Sequence, residues 1–349
     1  MSGAGVNRRM FSVGAVLAAS ALGAPALRAQ SSRLEKPRVV IAVGGRASFH
    51  YLPLTLAEQL GYFRAEGLEV EISDFGGGDR ALQAVVGGSA DVVSGSYEQV
   101  IKLQGKGQFF QAFVLQGRAP QIALGVSARS LPHYRSLADL KGRRIGVAAP
   151  GSATNMMASL ALARAGLKAA DVSYIGVGSS AGALAALRSG QIDALCNSDP
   201  VMTLLEQKGE VRIIADARTL KGTREVYGGP MPAGCLYAPL EFVQKYPDTA
   251  QALTHAIVHA LKWLQTAGPG DIIKTVPEAY LLGDRGLYLA AFEKVREAIA
   301  VDGVFPEDGA RTALRALASY ETGLKVEKID LARTWTNQFA LRAKARFKA

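Results

Sequence analysis

The chain has 349 residues, about half of them apolar and a fifth charged, with 40 basic against 30 acidic side chains and a formal charge of +10. That profile suits a globular protein of about two domains and excludes both a disordered chain and a multi-span membrane protein. The basic residues are scattered and lack interleaved aromatics, so no nucleic-acid partner is expected, and the charge favours anionic small molecules or a membrane surface.

The N-terminal stretch, residues 1–29, reads as an export signal rather than as part of the fold. Arg8-Arg9 and Met10-Phe11 precede an apolar run from Val13 to Leu22 that is too short to span a bilayer permanently. Ala24-Pro25-Ala26 and Leu27-Arg28-Ala29 are the candidate small-residue cleavage sites. Arg8-Arg9 with Phe11 resembles a twin-arginine signal, with an ordinary secretory signal as the alternative. Both predict a periplasmic protein whose signal is removed, and no cysteine follows the run to carry a lipid anchor. In that oxidising compartment Cys196 and Cys235 are either a disulfide or two buried thiols, and the sequence leaves the choice open.

From Arg38 onward apolar runs alternate with helical patterns. Residues 38–43 form a short β-branched run of the kind buried on both faces of a parallel sheet. Pro53 then opens a helix with Leu52, Leu56 and Leu60 on one face, stopped by Gly61. Strands are expected at 68–72, 91–93 and 109–115, with a helix around 81–86. The programme repeats with strands at 122–126, 144–148, 172–177 and 194–196. Its helices follow the turns Pro150-Gly151-Ser152-Ala153-Thr154, Gly178 to Gly182 and Asn197-Ser198-Asp199-Pro200. After one more strand-like run at 235–238 the chain reads as helical, a tail that buttresses the first lobe and straps the two together. The alternation predicts an α/β fold with mostly parallel sheets. No low-complexity linker divides it, so short strand-like crossings are expected near 116–123 and 230–238. Lobe 1 is then 38–120 plus 236–349, and lobe 2 is 121–235.

The two halves echo each other. Ala81 to Ser96 and Ala183 to Ser198 both fit A-L-x-A-x-x-x-G-x-x-D-x-x-x-x-S, pairing Gly88 with Gly190, Asp91 with Asp193 and Ser96 with Ser198. Upstream of each, an apolar run ends in a small-residue turn, Gly76-Gly77-Gly78 and Gly178-Ser179-Ser180. Two similar α/β lobes make a cleft, and ligands of parallel sheets sit beyond the carboxyl ends of the strands.

Several turns are candidate contacts on this ground. At Gly151 to Thr154 a glycine admits close approach, and the serine and threonine hydroxyls and the free helix-start N–H groups attract an oxyanion; plain helix capping by Ser152 or Thr154 is the alternative. Ser48 with Phe49 or Tyr51, Ser94, Ser96 and Tyr97 follow strands in the same way, and Arg118 at the first crossing is placed to neutralise a ligand charge, with ordinary turn chemistry as the competing reading. Gly76 to Ala81 formally satisfies a dinucleotide fingerprint but lacks the later acid, so no cofactor is expected. Gly178 to Gly182 satisfies G-x-S-x-G, which makes a serine hydrolase using Ser180 the alternative function, with Asp199 or Asp216 and His255 or His259 in the right order. Against it, the paired turn in the other half has no serine. His255 and His259 share a helix face but lack the glutamate of a metal motif, so no metal is expected.

The spacing Leu54-x-x-Ala57-x-x-x-Gly61-Tyr62-Phe63-x-x-Glu66-Gly67-Leu68-x-Val70 resembles the opening of exported solute-binding proteins of ABC importers, in the NMT1-type branch for nitrate, sulfonate, taurine and thiamine-precursor ligands. The echoed motif, Asp139-Leu140-Lys141-Gly142-x-x-Ile145-Gly146-Val147 and Pro150-Gly151-Ser152 are similar to the same family, so the resemblance covers nearly all of the chain after the signal. It implies two Rossmann-like lobes on a two-strand hinge, the type II periplasmic binding fold, closing on one small anionic solute. It also implies a monomer without catalysis that delivers to an inner-membrane permease, or in a variant role presents the solute to a membrane sensor. By that resemblance contacts fall at Ser48 and Phe49, Gly77 and Gly78, Ser94 and Ser96, Ser152 to Thr154, Ser179 and Ser180, and Asn197 to Asp199. Pyrimidine-making relatives carry a cysteine-rich motif that is absent here.

Overall fold

The structure, a computed structural model, describes residues 34–321 and 323–349; the export signal read at 1–29, with Arg8 and Arg9, lies outside them. Ten strands form two five-stranded sheets. The first holds β1 (Arg38–Val43), β2 (Glu69–Asp74), β3 (Val92–Ser96), β4 (Phe110–Leu115) and β10 (Gly234–Pro239), in the order β2-β1-β3-β10-β4. The second holds β5 (Ile122–Ser127), β6 (Arg144–Val147), β7 (Ser173–Gly176), β8 (Ala194–Ser198) and β9 (Val211–Asp216), in the order β7-β6-β8-β5-β9.

The two orders are one topology written twice. In each sheet the first strand of a βαβ unit pairs in parallel with its two neighbours, β1 with β2 and β3, and β6 with β7 and β8. In each the fourth place is taken by an antiparallel strand, β10 between β3 and β4, and β5 between β8 and β9. The fold class is α/β as expected; in each sheet four strands run the same way, and the fifth, received from the chain's passage between sheets, runs against them and makes the sheet mixed.

The echo has a physical cause. Asp91 Oδ2 accepts the backbone N–H of Val40 on β1 at 2.9 Å, and Asp193 Oδ2 accepts that of Arg144 on β6 at 3.0 Å. Each carboxylate thus pins the start of the third strand of its unit to the first. A charge-assisted bond to a backbone donor contributes more than a neutral one, which is what an aspartate at that repeat position supplies.

Passage between the sheets uses residues 116–121 and 228–233, and these two segments pair with each other. Gln116 N donates to Gly234 O at 2.7 Å, and Ala233 N donates to Gly117 O at 2.9 Å. Most buried apolar side chains belong to one cluster, and a smaller one lies under the helices Ala181–Arg188 and Val201–Gln207. The helical tail packs on the first sheet through Pro247–Thr266 and Gln338–Phe347, and reaches the second through Arg285–Val295, where Leu287 enters the smaller cluster and Lys294 pairs with Glu206 at 2.7 Å. Cys196 and Cys235 are buried free thiols on β8 and β10. No described helix is long and apolar enough to cross a membrane.

Candidate functional site

The carboxyl ends of β1 and β3 in one sheet and of β6 and β8 in the other open onto a shared cavity of about 30 Å³. That is room for roughly two water molecules. The first sheet supplies Gly44, Ser48, His50, Tyr51, Gly78, Ser96 and Gln99, and the second supplies Ile122, Ala148, Ser152, Ala153, Thr154, Ser179 and Ser198. Gly78, Gln99 and Ala153 place the first turns of three helices, Gly78–Val86, Glu98–Gly105 and Ala153–Arg164, in its wall, so three positive dipole ends lie beside it. Among the described residues, no lysine, arginine, aspartate or glutamate lines it.

The two sides meet closely around this cavity. Ser48 Oγ and Ser198 Oγ lie 2.7 Å apart, and Phe49 N donates to the Asp199 carbonyl at 3.1 Å. Gly77 faces Ala149 so tightly that a β-carbon there would collide with the alanine's own. Gly45, at φ +103°, could carry no side chain without striking Ser179, and the left-handed φ itself selects glycine.

The hydroxyls at the second helix start are engaged locally. Ser152 Oγ donates to Ala149 O at 2.7 Å, and Thr154 Oγ1 accepts from Ala148 N at 2.9 Å and lies 2.8 Å from Ser152 Oγ. Their protons thus serve the turn, the capping role that was the alternative for this motif. His50 is buried, and its tautomer follows from its partners. Pro120 O, 3.0 Å from Nδ1, can only accept, so Nδ1 carries the proton and Nε2 accepts from Ser96 Oγ at 3.0 Å. Burial pulls the His50 pKa down to about 4, so the ring is neutral at pH 7. Gln99, 2 % exposed, accepts from Tyr237 OH at 2.7 Å through Oε1, and its Nε2 has no partner.

A family model described as the NMT1-like family matches residues 34–275. The chain belongs to the NMT1-like family. A protein of Bordetella bronchiseptica RB50 of known structure is 59% identical with a TM-score of 0.90, covering 91% of this chain and 100% of that one. The alkanesulfonate-binding protein SsuA of Xanthomonas axonopodis pv. citri, solved with MOPS bound, is 21% identical with a TM-score of 0.66 over 87% of this chain and 100% of that chain. The periplasmic nitrate-binding protein NrtA of Synechocystis PCC 6803 is 14% identical with a TM-score of 0.64 over 90% of this chain and 89% of that chain. At those two identities the likeness is one of fold, that of periplasmic binding proteins.

Within this NMT1-like fold, Ser48, Tyr51, Gly78, Ser96, Ser152, Ala153, Thr154, Ser179 and Ser198 lie in the cavity wall. The other residues singled out by sequence lie outside it, each for a visible reason. Phe49 packs edge-on against Tyr288 and Phe292, with centroids 4.7 and 6.0 Å away. Ser94 accepts from Gln116 Nε2 inside the first sheet at 2.9 Å, and Tyr97 turns its hydroxyl to Thr334. Arg118 donates to Glu297 O at 2.7 Å, tying a crossing segment to the helical tail. Asn197 Nδ2 donates to Gly178 O, and Asp199 is fully buried, accepting from Thr203 N at 2.7 Å beside Arg218. Gly77 and Gly151 shape the close approach, and Ser180 precedes the helix Ala181–Arg188 without a side-chain cap bond.

Sequence reasoning missed His50 and Gln99. A histidine after a strand and a glutamine in a helical turn look like surface residues, and only their burial marks them. Glu98 beside Gln99 is buried outside the cavity wall. Burial raises its pKa to about 7, against the smaller lowering effects of its own backbone N–H and of Lys102.

Proposed function

We propose that this NMT1-like chain is the exported solute-binding component of an ABC importer. It captures a small anionic solute of the sulfonate, nitrate, taurine or organic-acid class between lobe 1, residues 38–120 with 236–349, and lobe 2, residues 121–235. Closure is a rigid-body movement about the paired crossing segments, a population shift driven by contacts that the solute makes to both lobes at once. The complex is then handed to an inner-membrane permease, with the binding protein acting as a monomer and catalysing nothing.

The observation that carries this reading is the cavity wall: strand ends from both sheets, three helix N-termini, hydroxyls, a neutral histidine, an unpartnered carboxamide donor and no acidic side chain. Oriented dipoles and neutral donors stabilise an anion without a counter-charge and accept several oxyanion shapes. The alkanesulfonate-binding and nitrate-binding proteins of the same fold support the choice of solute class. A hydrolase using Ser180 lacks comparable support, since Ser180 is outside the wall, His255 bonds to Glu66 and His259 stacks between Tyr62 and Phe347.

Titration calorimetry with methanesulfonate, taurine, nitrate and benzoate tests the proposal. Saturable binding of at least one is expected, with no ester turnover by wild type or Ser180→Ala. Failure of all four, or turnover that Ser180→Ala abolishes, overturns it.

A further inference from the structure

We infer that Gln99 is the residue that selects the solute in this cavity, by donating from Nε2 to an unprotonated acceptor atom seated over Gly78. The inference rests on the solute-binding reading above and adds to it a named donor and a requirement on the solute.

Three observations converge on it. The amide is fixed in direction, because Tyr237 OH, which is itself buried, donates to Oε1 at 2.7 Å and leaves the NH₂ end facing away from that bond. Nε2 is buried and unpartnered although Gln99 forms part of the cavity wall. A buried donor left without an acceptor is costly, so a group that completes it on binding recovers that cost. Gly78 lies beside Gln99 in the cavity wall: a β-carbon there would lie 3.4 Å from Gln99 Nε2, 3.6 Å from Oε1 and 3.7 Å from Tyr51 OH, so glycine keeps the amide uncovered on that side. The amide and the Tyr51 hydroxyl thus flank the first turn of the helix Gly78–Val86, whose free N–H groups also favour an acceptor.

The chemistry sets the selection rule. A carboxamide NH₂ only donates. An oxyanion oxygen, as in a sulfonate, nitrate or carboxylate, fits it. An ammonium or a methyl group at the same position leaves Nε2 unpaired or faces donor with donor. The tail of the solute points elsewhere in the cleft, so Gln99 selects the head group.

The test measures the affinities of methanesulfonate and nitrate for wild type, Gln99→Glu and Gln99→Met by calorimetry, with melting temperatures of the solute-free proteins. Gln99→Glu keeps an acceptor for Tyr237 OH and replaces the donor by lone pairs; Gln99→Met keeps the bulk and removes both. Both variants are expected to bind whichever probe the wild type holds about 10- to 100-fold more weakly, the range for a lost hydrogen bond to a charged group. Wild-type affinity in a folded variant overturns the assignment while leaving the solute-binding reading intact. If the wild type holds neither probe, the assignment falls with the oxyanion class. A crystal structure of the wild type with the bound probe is a check that needs no variant: an acceptor within hydrogen-bond distance of Nε2 is expected, and an Nε2 still unpaired contradicts the inference.

Discussion

His50 and Glu98 are two buried ionisable groups on neighbouring elements whose burial acts in opposite directions. His50 titrates near 4 in the folded protein against an ordinary 6.5, so between those values the unfolded chain takes a proton that the folded one refuses, and stability falls as pH falls. Glu98 titrates near 7 against an ordinary 4.5, so over much of the same window the unfolded chain releases a proton that the folded one keeps, and stability falls as pH rises. Each effect is on the order of 3 kcal/mol at its limit, so in the wild type the two largely offset. Urea unfolding from pH 4.5 to 7 should show this. Relative to wild type, Glu98→Gln gains stability progressively toward pH 7. His50→Gln loses its disadvantage progressively toward pH 4.5. Parallel profiles for all three proteins would contradict the burial of both groups.

At the level of elements, the repeated aspartate and the contact glycines do separate work. Asp193→Asn should cost about 1.5–3 kcal/mol in urea unfolding, because Asp193 holds both the backbone N–H and the guanidinium of Arg144. Removing Glu69 from its exposed pair with Arg38 should cost under about 1 kcal/mol. Gly77→Val should leave urea unfolding of the solute-free protein little changed but weaken solute binding about tenfold or more, since the added side chain collides with Ala149 only where the two halves meet. Equal affinity would mean that this contact is not made in the bound state. Much of this level was legible in the sequence. The echo placed Asp91 with Asp193 and Ser96 with Ser198, and these pairs do hold matching positions in the two sheets. The antiparallel β5 and β10 were not legible as such, because an apolar run records its burial and not the direction of its partner. The hydroxyls of Ser152 and Thr154 carried two readings in the sequence for a similar reason: their types suit both a ligand and a cap, and only the structure shows that Ala149 O and Ala148 N engage them while both line the cavity.

For the whole molecule, two copies of one α/β unit face each other across a cavity and are joined by two short paired segments. The two sides also touch directly, through Ser48 with Ser198 and Phe49 with Asp199, so a solute held by both adds to contacts that the protein makes itself. A solute at a hundredfold excess over its Kd stabilises the folded state by about 2.7 kcal/mol, so the melting temperature should rise with the logarithm of solute concentration for each compound that binds. Lys294 on the helical tail, paired with Glu206 beside the second sheet, is placed to resist opening. Lys294→Ala should therefore shift the solute-free ensemble toward the open form, measurable as a larger radius of gyration by solution scattering, with an unchanged radius counting against a latch. The central claim is most directly tested by native mass spectrometry of the protein as purified and after incubation with methanesulfonate, nitrate, taurine and benzoate. The account predicts one small anion per chain, lost on denaturation and lost from Gly77→Val. A chain that carries no solute and acquires none from any of the four would contradict it.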